Sequence, residues 1–241
     1  MSLFLSFIAG LSTILGFFAI YIKTKNVKSF LAFTLSFSLA VMLFISLFDL
    51  LPEALKSLKV GTAISGIIIF LLIFLVSSKI FNYIDRVVDK KNEKNLYKIG
   101  LLSAVALFLH NIPEGILTFS TAYQDFNLGL KIVFAIALHN IPEGISIAVP
   151  VYYATKKKGR ALFLTMVSGL SEPLAGILTF IFFRNFLNIN LISIMMLAAA
   201  SIMIFLSVFK LYPEVKSYNQ KNAKYLGFLL GASICLIVIN L

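Results

Sequence analysis

Only one cysteine, Cys235, occurs in the chain, so an internal disulfide is excluded and no cluster of thiolates can hold a metal; by residue type it reads as a small packing residue. Charge is equally scarce, at 13 % of 241 residues against 60 % hydrophobic ones, which excludes an ordinary soluble domain. No cationic segment or small-residue cleavage site marks the amino terminus as a signal peptide, so the first apolar window is expected to be a permanent span. The connections between apolar windows are short, leaving no room for a soluble catalytic domain. Neither the His-Glu-x-x-His pattern of zinc proteases nor the Glu-x-x-His pattern of di-iron bundles is found.

What is present is apolar sequence in lengths that match a bilayer, which needs about 20 residues per helix. Windows fall at 2–22, 30–51, 61–81, 98–120, 127–152, 161–183, 190–211 and 224–240. Their length, and the lack of alternation, imply helices rather than a barrel. The expected fold is an all-α integral membrane protein with eight transmembrane helices, forming one domain over residues 1–241. The mixed-sign stretch within 85–97 is expected to be a solvated cytoplasmic linker.

The formal charge is +11, but its distribution argues against nucleic acid as a partner. Seventeen of the 21 cations, among them Lys23, Lys25, Lys28, Lys79, Arg86, Lys90, Lys91, Lys156, Lys157, Lys158, Arg160, Lys216 and Lys221, fall in or beside the connections after spans one, three, five and seven. Only Lys56, Lys59, Lys131 and Arg184 lie on the other side. The positive-inside rule then puts the basic connections in the cytoplasm and both termini outside. Tyrosines such as Tyr21, Tyr83, Tyr97, Tyr152 and Tyr153 sit near the ends of spans, where an amphipathic ring suits the headgroup region.

Against this background the acidic residues stand out. Glu114, Glu143 and Glu172 fall inside spans four, five and six. Insertion scales charge each about 2.5–3.5 kcal/mol, or roughly 8–10 kcal/mol together, so something must compensate them. The compensation is repeated: HNIPEGI occupies both 110–116 and 139–145. On a helix, Glu114 shares a face with His110 and Asn111, and Glu143 with His139 and Asn140. Pro113 and Pro142 free the carbonyls of Leu109 and Leu138, while Gly115 and Gly144 permit close helix approach. As consecutive antiparallel spans, four and five bring two imidazoles, two amides and two carboxylates together near mid-membrane. These donors suit a divalent transition metal, each glutamate having one oxygen for its histidine side and one for its asparagine side. The plainer alternative is a set of hydrogen bonds across two helices.

HNIPEG in span four, HNIPEG in span five and SEPLAG at 171–176 resemble the ZIP (Zrt/Irt-like, zinc–iron permease) family of metal transporters, particularly its bacterial members. The resemblance implies that His110, Asn111, Glu114, His139, Asn140, Glu143 and Glu172 are ligands of a two-metal centre. It further implies a homodimer in the bacterial inner membrane carrying Zn²⁺, or Fe²⁺, Mn²⁺ or Cd²⁺, into the cytoplasm, with two ions per chain and no other cofactor. Met42, in LAVMLFIS of span two, resembles a family position where methionine completes the first metal site; by residue type alone a methionine in a span is packing more often than ligation. The loop between spans three and four has no histidine, unlike many relatives.

A further repeat pairs LLPEAL at the end of span two with LYPEVK at the end of span seven. With the charge-derived orientation these ends lie on opposite sides, as an inverted repeat of helices 1–3 on helices 6–8 around a central pair 4 and 5 requires, a 3+2+3 arrangement. Asp49 and Glu53 then suit an entrance and Glu214 an exit, or they are carboxylates resting at the interface. The rival to a transporter is a metal-dependent intramembrane enzyme, a hydrolase or di-iron oxidase, which needs an open metal position, a general base and a substrate cleft.

Overall fold

The computed structural model describes residues 1–58, 60–89 and 95–239, and among these every regular element is helical. Lys59, the linker residues 90–94 with their three lysines, and the final residue of the eighth window, 240, lie outside the described residues. Six stretches among the described residues are long and apolar enough to cross a membrane: Ser2–Tyr21, Val27–Lys56, Gly100–Gln124, Phe126–Thr155, Lys158–Phe186 and Ile189–Ser217. The protein is an integral membrane protein. Within the stretch expected as a linker over 85–97, residues 85–89 and 95–97 are helical, at the ends of α4 (Val60–Asp89) and α5 (Asn95–Gln124). Mixed charges at helix ends are as compatible with a solvated helix as with a loop.

The first span is α1 (Ser2–Leu15), continued by a 3₁₀ segment Gly16–Tyr21. The second is α2 (Val27–Ile45), a π-helical turn Ser46–Leu50 and a short helix α3 (Leu51–Ser57) with Pro52 in its first turn. The stretch Ile189–Ser217 is built alike: α8 (Ile189–Leu206), a π-helical turn Ser207–Leu211 and α9 (Tyr212–Ser217), with Pro213 in its first turn. Both helices run on into these prolines without a break: Leu51 and Tyr212 stay helical and bond back to the carbonyls of Ser46 and Ser207. Asn26 and Asn188 cap α2 and α8, their side chains accepting from the amides of Ser29 and Leu191. Between them lie α6 (Phe126–Thr155) and α7 (Lys158–Leu178), and the chain ends in α10 (Lys221–Ile239).

Helices α5 and α6 form a hairpin with a single intervening residue, Asp125, whose carboxylate accepts from the amides of Asn127 and Leu128 at 2.9 and 3.1 Å. At the other end, Lys156 turns the chain into α7 with a left-handed φ of 57°, a backbone choice that costs a non-glycine residue about 1 kcal/mol. Helices α1, α5, α6 and α7 each pack on the other three, while α2 packs along α10 and α8 along α4. The groups meet where α2 crosses α6 and α5 crosses α8. Around α2 and α8 the core is apolar, with Val41, Met42, Ile45, Leu197, Met203 and Phe205. Inside the α1, α5, α6 and α7 group it is lined instead by small and polar side chains, including every histidine of the chain. Outward faces carry exposed Phe4, Leu11, Phe18, Leu71, Leu72, Leu226 and Leu229, as lipid contact demands.

Candidate metal centre

The twin motifs sit midway along α5 and α6, and the antiparallel hairpin sets them side by side. Each helix continues through its proline, so histidine, asparagine and glutamate keep their common inward face. His110, His139 and Glu172 are 0 % exposed, and Glu114 and Glu143 1 %. Glu114 lies between the two imidazoles: its Oε1 is 3.0 Å from His139 Nε2 and 3.3 Å from His110 Nε2. Glu143 approaches His110 Nε2 at 3.7 Å, beyond a normal hydrogen bond. The ring centroids of the two histidines are 6.4 Å apart. One ligand atom each from His110, Glu114 and His139 falls within a span of 4.8 Å, a size at which a single divalent ion can be grasped.

The asparagines are oriented by backbone. Asn111 Nδ2 donates to the carbonyl of Ser168 at 3.0 Å, and Asn140 Nδ2 to the carbonyl of Ala9 at 3.1 Å. Both amide oxygens are thereby turned away from those bonds and have no partner. Asn140 Nδ2 also donates to Glu172 Oε2 at 3.0 Å, and Thr118 to Glu172 Oε1 at 3.4 Å. Glu172 is thus joined to the motif of α6 through an asparagine. Further buried atoms without a hydrogen-bond partner are both oxygens of Glu143, Oε2 of Glu114, and Nδ1 of each histidine. A folded protein rarely leaves so many buried polar atoms unsatisfied. Carboxylate, imidazole and amide oxygen are a donor set that a divalent transition metal satisfies.

Close backbone approach holds these helices together. A Cβ on Gly115 would lie 2.1 Å from the carbonyl oxygen of Glu172, and one on Gly144 1.9 Å from that of Thr13. Met42 is wholly buried in the apolar cluster that also contains Leu117, one turn beyond Glu114, and its sulfur accepts from Ser38 at 3.7 Å. Asp49 is half-buried on the π-helical turn after α2, and Glu53 is exposed on α3. Glu214, half-buried on α9, accepts a hydrogen bond from Tyr218. Cys235 is buried and offers its thiol to the carbonyl of Val41 at 3.9 Å.

The profile of the ZIP zinc transporters matches residues 88–239, which includes α5, α6 and α7 and the whole histidine–glutamate group. The chain belongs to the ZIP zinc transporter family. It is similar to proteins named zinc transporter ZupT from several bacteria. That of Clostridium perfringens is 40% identical over 139 residues, covering 58% of this chain and 49% of the relative. That of Lysinibacillus sphaericus is 39% identical over 159 residues, 66% of this chain and 59% of the relative. That of Oceanobacillus iheyensis is 43% identical over 142 residues, 59% of this chain and 53% of the relative. The chain spans about half to three-fifths of the length of these ZIP relatives.

One repeat of this ZIP chain is invisible to a search for charged residues. FLSFIAGLST at 4–13 in α1 matches FLTMVSGLSE at 163–172 in α7, sharing Phe-Leu at the start and Gly-Leu-Ser near the end. Both segments line the centre: Ala9 and Ser168 supply the carbonyls that hold the asparagines, and Gly10 and Gly169 lie against each other's carbonyl oxygens. A comparison of the segments that form α1 and α7 would have found them.

Proposed function

We propose that the chain moves divalent transition-metal ions, Zn²⁺ foremost, across the membrane into the cytoplasm through the buried group on α5, α6 and α7. The observation that carries this reading is the convergence of His110, Glu114 and His139 ligand atoms within 4.8 Å amid unsatisfied carboxylate and amide oxygens. The relatives' printed names, zinc transporter, agree with it. The three buried glutamates, costing roughly 8–10 kcal/mol in a bilayer, are compensated by the ions themselves. His110, His139, Glu114 and Glu143 hold one ion, completed by Met42; Asn111, Asn140, Glu172 and the outer oxygens of the glutamates hold a second. Mixed oxygen and nitrogen donors bind well enough to strip water yet release their cargo.

The transporter is a single domain of eight spans in a 3+2+3 order, with helices 1–3 and 6–8 as an inverted repeat and both termini outside. Support comes from the matched build of α2–α3 and α8–α9, each a capped helix, a π-helical turn and a helix with proline in its first turn. Asp49 and Glu53 attract ions at the entrance and Glu214 receives them at the exit. The α1, α5, α6 and α7 group rocks against the α2, α4, α8 and α10 group, exposing the centre to alternate sides, and two chains associate as a homodimer. The experiment is uptake of Zn²⁺ by proteoliposomes containing a trapped fluorescent zinc reporter. The parent loads the vesicles and Glu143→Gln does not; equal uptake by both would overturn the reading.

A further inference from the structure

The two halves of the centre are related, residue by residue, but not identical. Gly115 of α5 meets the carbonyl of Glu172 on α7, and Gly144 of α6 meets the carbonyl of Thr13 on α1. Asn111 is held by Ser168 and Asn140 by Ala9. Ser12 donates to the carbonyl of Ala9, and Ser171 to that of Ser168. One two-fold relation carries α5 onto α6 and α1 onto α7, pairing Asn111 with Asn140, Ser168 with Ala9, and Thr13 with Glu172. Beside Asn140 stands the carboxylate of Glu172, at 3.0 Å. The relation puts Thr13 on the side of the centre that carries Asn111, with a hydroxyl two bonds nearer its own backbone than the carboxylate it replaces.

Three neutral oxygens on that side have no partner: Thr13 Oγ1, Ser168 Oγ and Asn111 Oδ1, each on a residue that is 0 % exposed. A threonine serving only to fill space would tuck its hydroxyl onto a carbonyl of its own helix, as Thr121, Thr165 and Thr179 do. Nor does the relation explain them as packing, since the mate of Ser168 is an alanine. Hydroxyl and amide oxygens are hard, neutral ligands; they hold an ion weakly and tolerate water in its remaining positions.

We propose that Thr13 and Ser168, with Asn111 shared from the second ion's shell, form a neutral oxygen half-site opposite the acidic side at Glu172, and that it takes a partly hydrated divalent cation in transit. The inference rests on the reading of the centre as a transport site. It makes the path asymmetric: the ion dwells at Glu172 and passes the Thr13 side quickly, because only one side carries charge.

The test uses the full chain in proteoliposomes and in nanodiscs, with Zn²⁺ alone as the probe. Thr13→Val keeps the shape and removes the hydroxyl; it lowers the initial uptake rate about tenfold, the worth of one polar contact, while thermal stability stays level or rises. Thr13→Ser restores most of the rate, which a packing role for the γ-methyl group would not allow. Thr13→Glu supplies the missing charge and raises bound Zn²⁺ by about one ion per chain. Uptake by Thr13→Val at the parent rate, with Glu114→Gln inactive in the same assay, overturns the half-site and leaves the transport centre standing. Parental uptake by Glu114→Gln as well overturns the centre itself.

Discussion

Gly115→Ala should damage the centre without touching a ligand. The added Cβ would lie 2.1 Å from the carbonyl oxygen of Glu172 and 2.8 Å from its carbonyl carbon, whereas carbon–oxygen contacts close to about 3.3 Å. Both obstacles are backbone, so no rotamer change relieves them and α7 must retreat from α5 by about 1 Å. That retreat stretches the hydrogen bonds of Glu172 to Thr118, 3.4 Å, and to Asn140, 3.0 Å. Overpacking of this kind costs about 1–3 kcal/mol and loss of a charged hydrogen bond about 1.5–3 kcal/mol. Alanine's better helix propensity returns about 1 kcal/mol, leaving a net loss of about 1.5–5 kcal/mol. Gly159→Ala is the control, because nothing lies within 4 Å of a Cβ there. Thermal melts in detergent, with and without Zn²⁺, should show Gly115→Ala melting lower and responding less to metal, with Gly159→Ala unchanged or slightly higher. Equal melts and equal metal response for the two alanines would refute the close α5–α7 contact as the element that positions Glu172.

Glu114→Gln, which keeps size and removes charge from the group between both imidazoles, should nearly abolish uptake while the protein still inserts and purifies. Met42→Leu fills the same apolar space, so stability should fall by less than about 1.5 kcal/mol; a shift in metal preference away from soft ions would mark the sulfur as a ligand, and an unchanged preference as packing. Zn²⁺ at about a hundred times its dissociation constant should stabilise the parent by about 2.7 kcal/mol, read as a melt shift that a chelator reverses and Glu114→Gln lacks. In a Cys235→Ser background, cysteines at Asn127 and Lys157, both exposed at opposite ends of α6, should label from outside and from the cytoplasm respectively; the reverse pattern would invert the direction of transport.

The helices and the central group were legible in the sequence because charge inside an apolar window has few explanations. His110, Glu114 and His139 could be placed together from helix periodicity and a short connection between consecutive spans alone. The bonds that orient the asparagines were not legible, since they end on the backbone of Ala9 and Ser168, 131 and 57 residues away. Thr118 and Thr13 escaped notice for a related reason: a threonine in a span is ordinary, and only its neighbours give it meaning. The π-helical turns after α2 and α8 leave no compositional trace, although the prolines that follow them do. Helix ends ran beyond the apolar windows, α4 to Asp89 and α5 from Asn95, because hydropathy marks the bilayer's thickness rather than the helix's length.

X-ray absorption at the zinc edge, on the purified chain loaded with Zn²⁺, tests the central claim most directly. The account predicts a mixed nitrogen and oxygen shell at about 2.0–2.2 Å with the outer-shell pattern of imidazole and a minor sulfur contribution from Met42, the imidazole pattern being lost when His110 and His139 are both replaced by alanine. A spectrum of hydrated zinc, or one that both replacements leave unchanged, would contradict it.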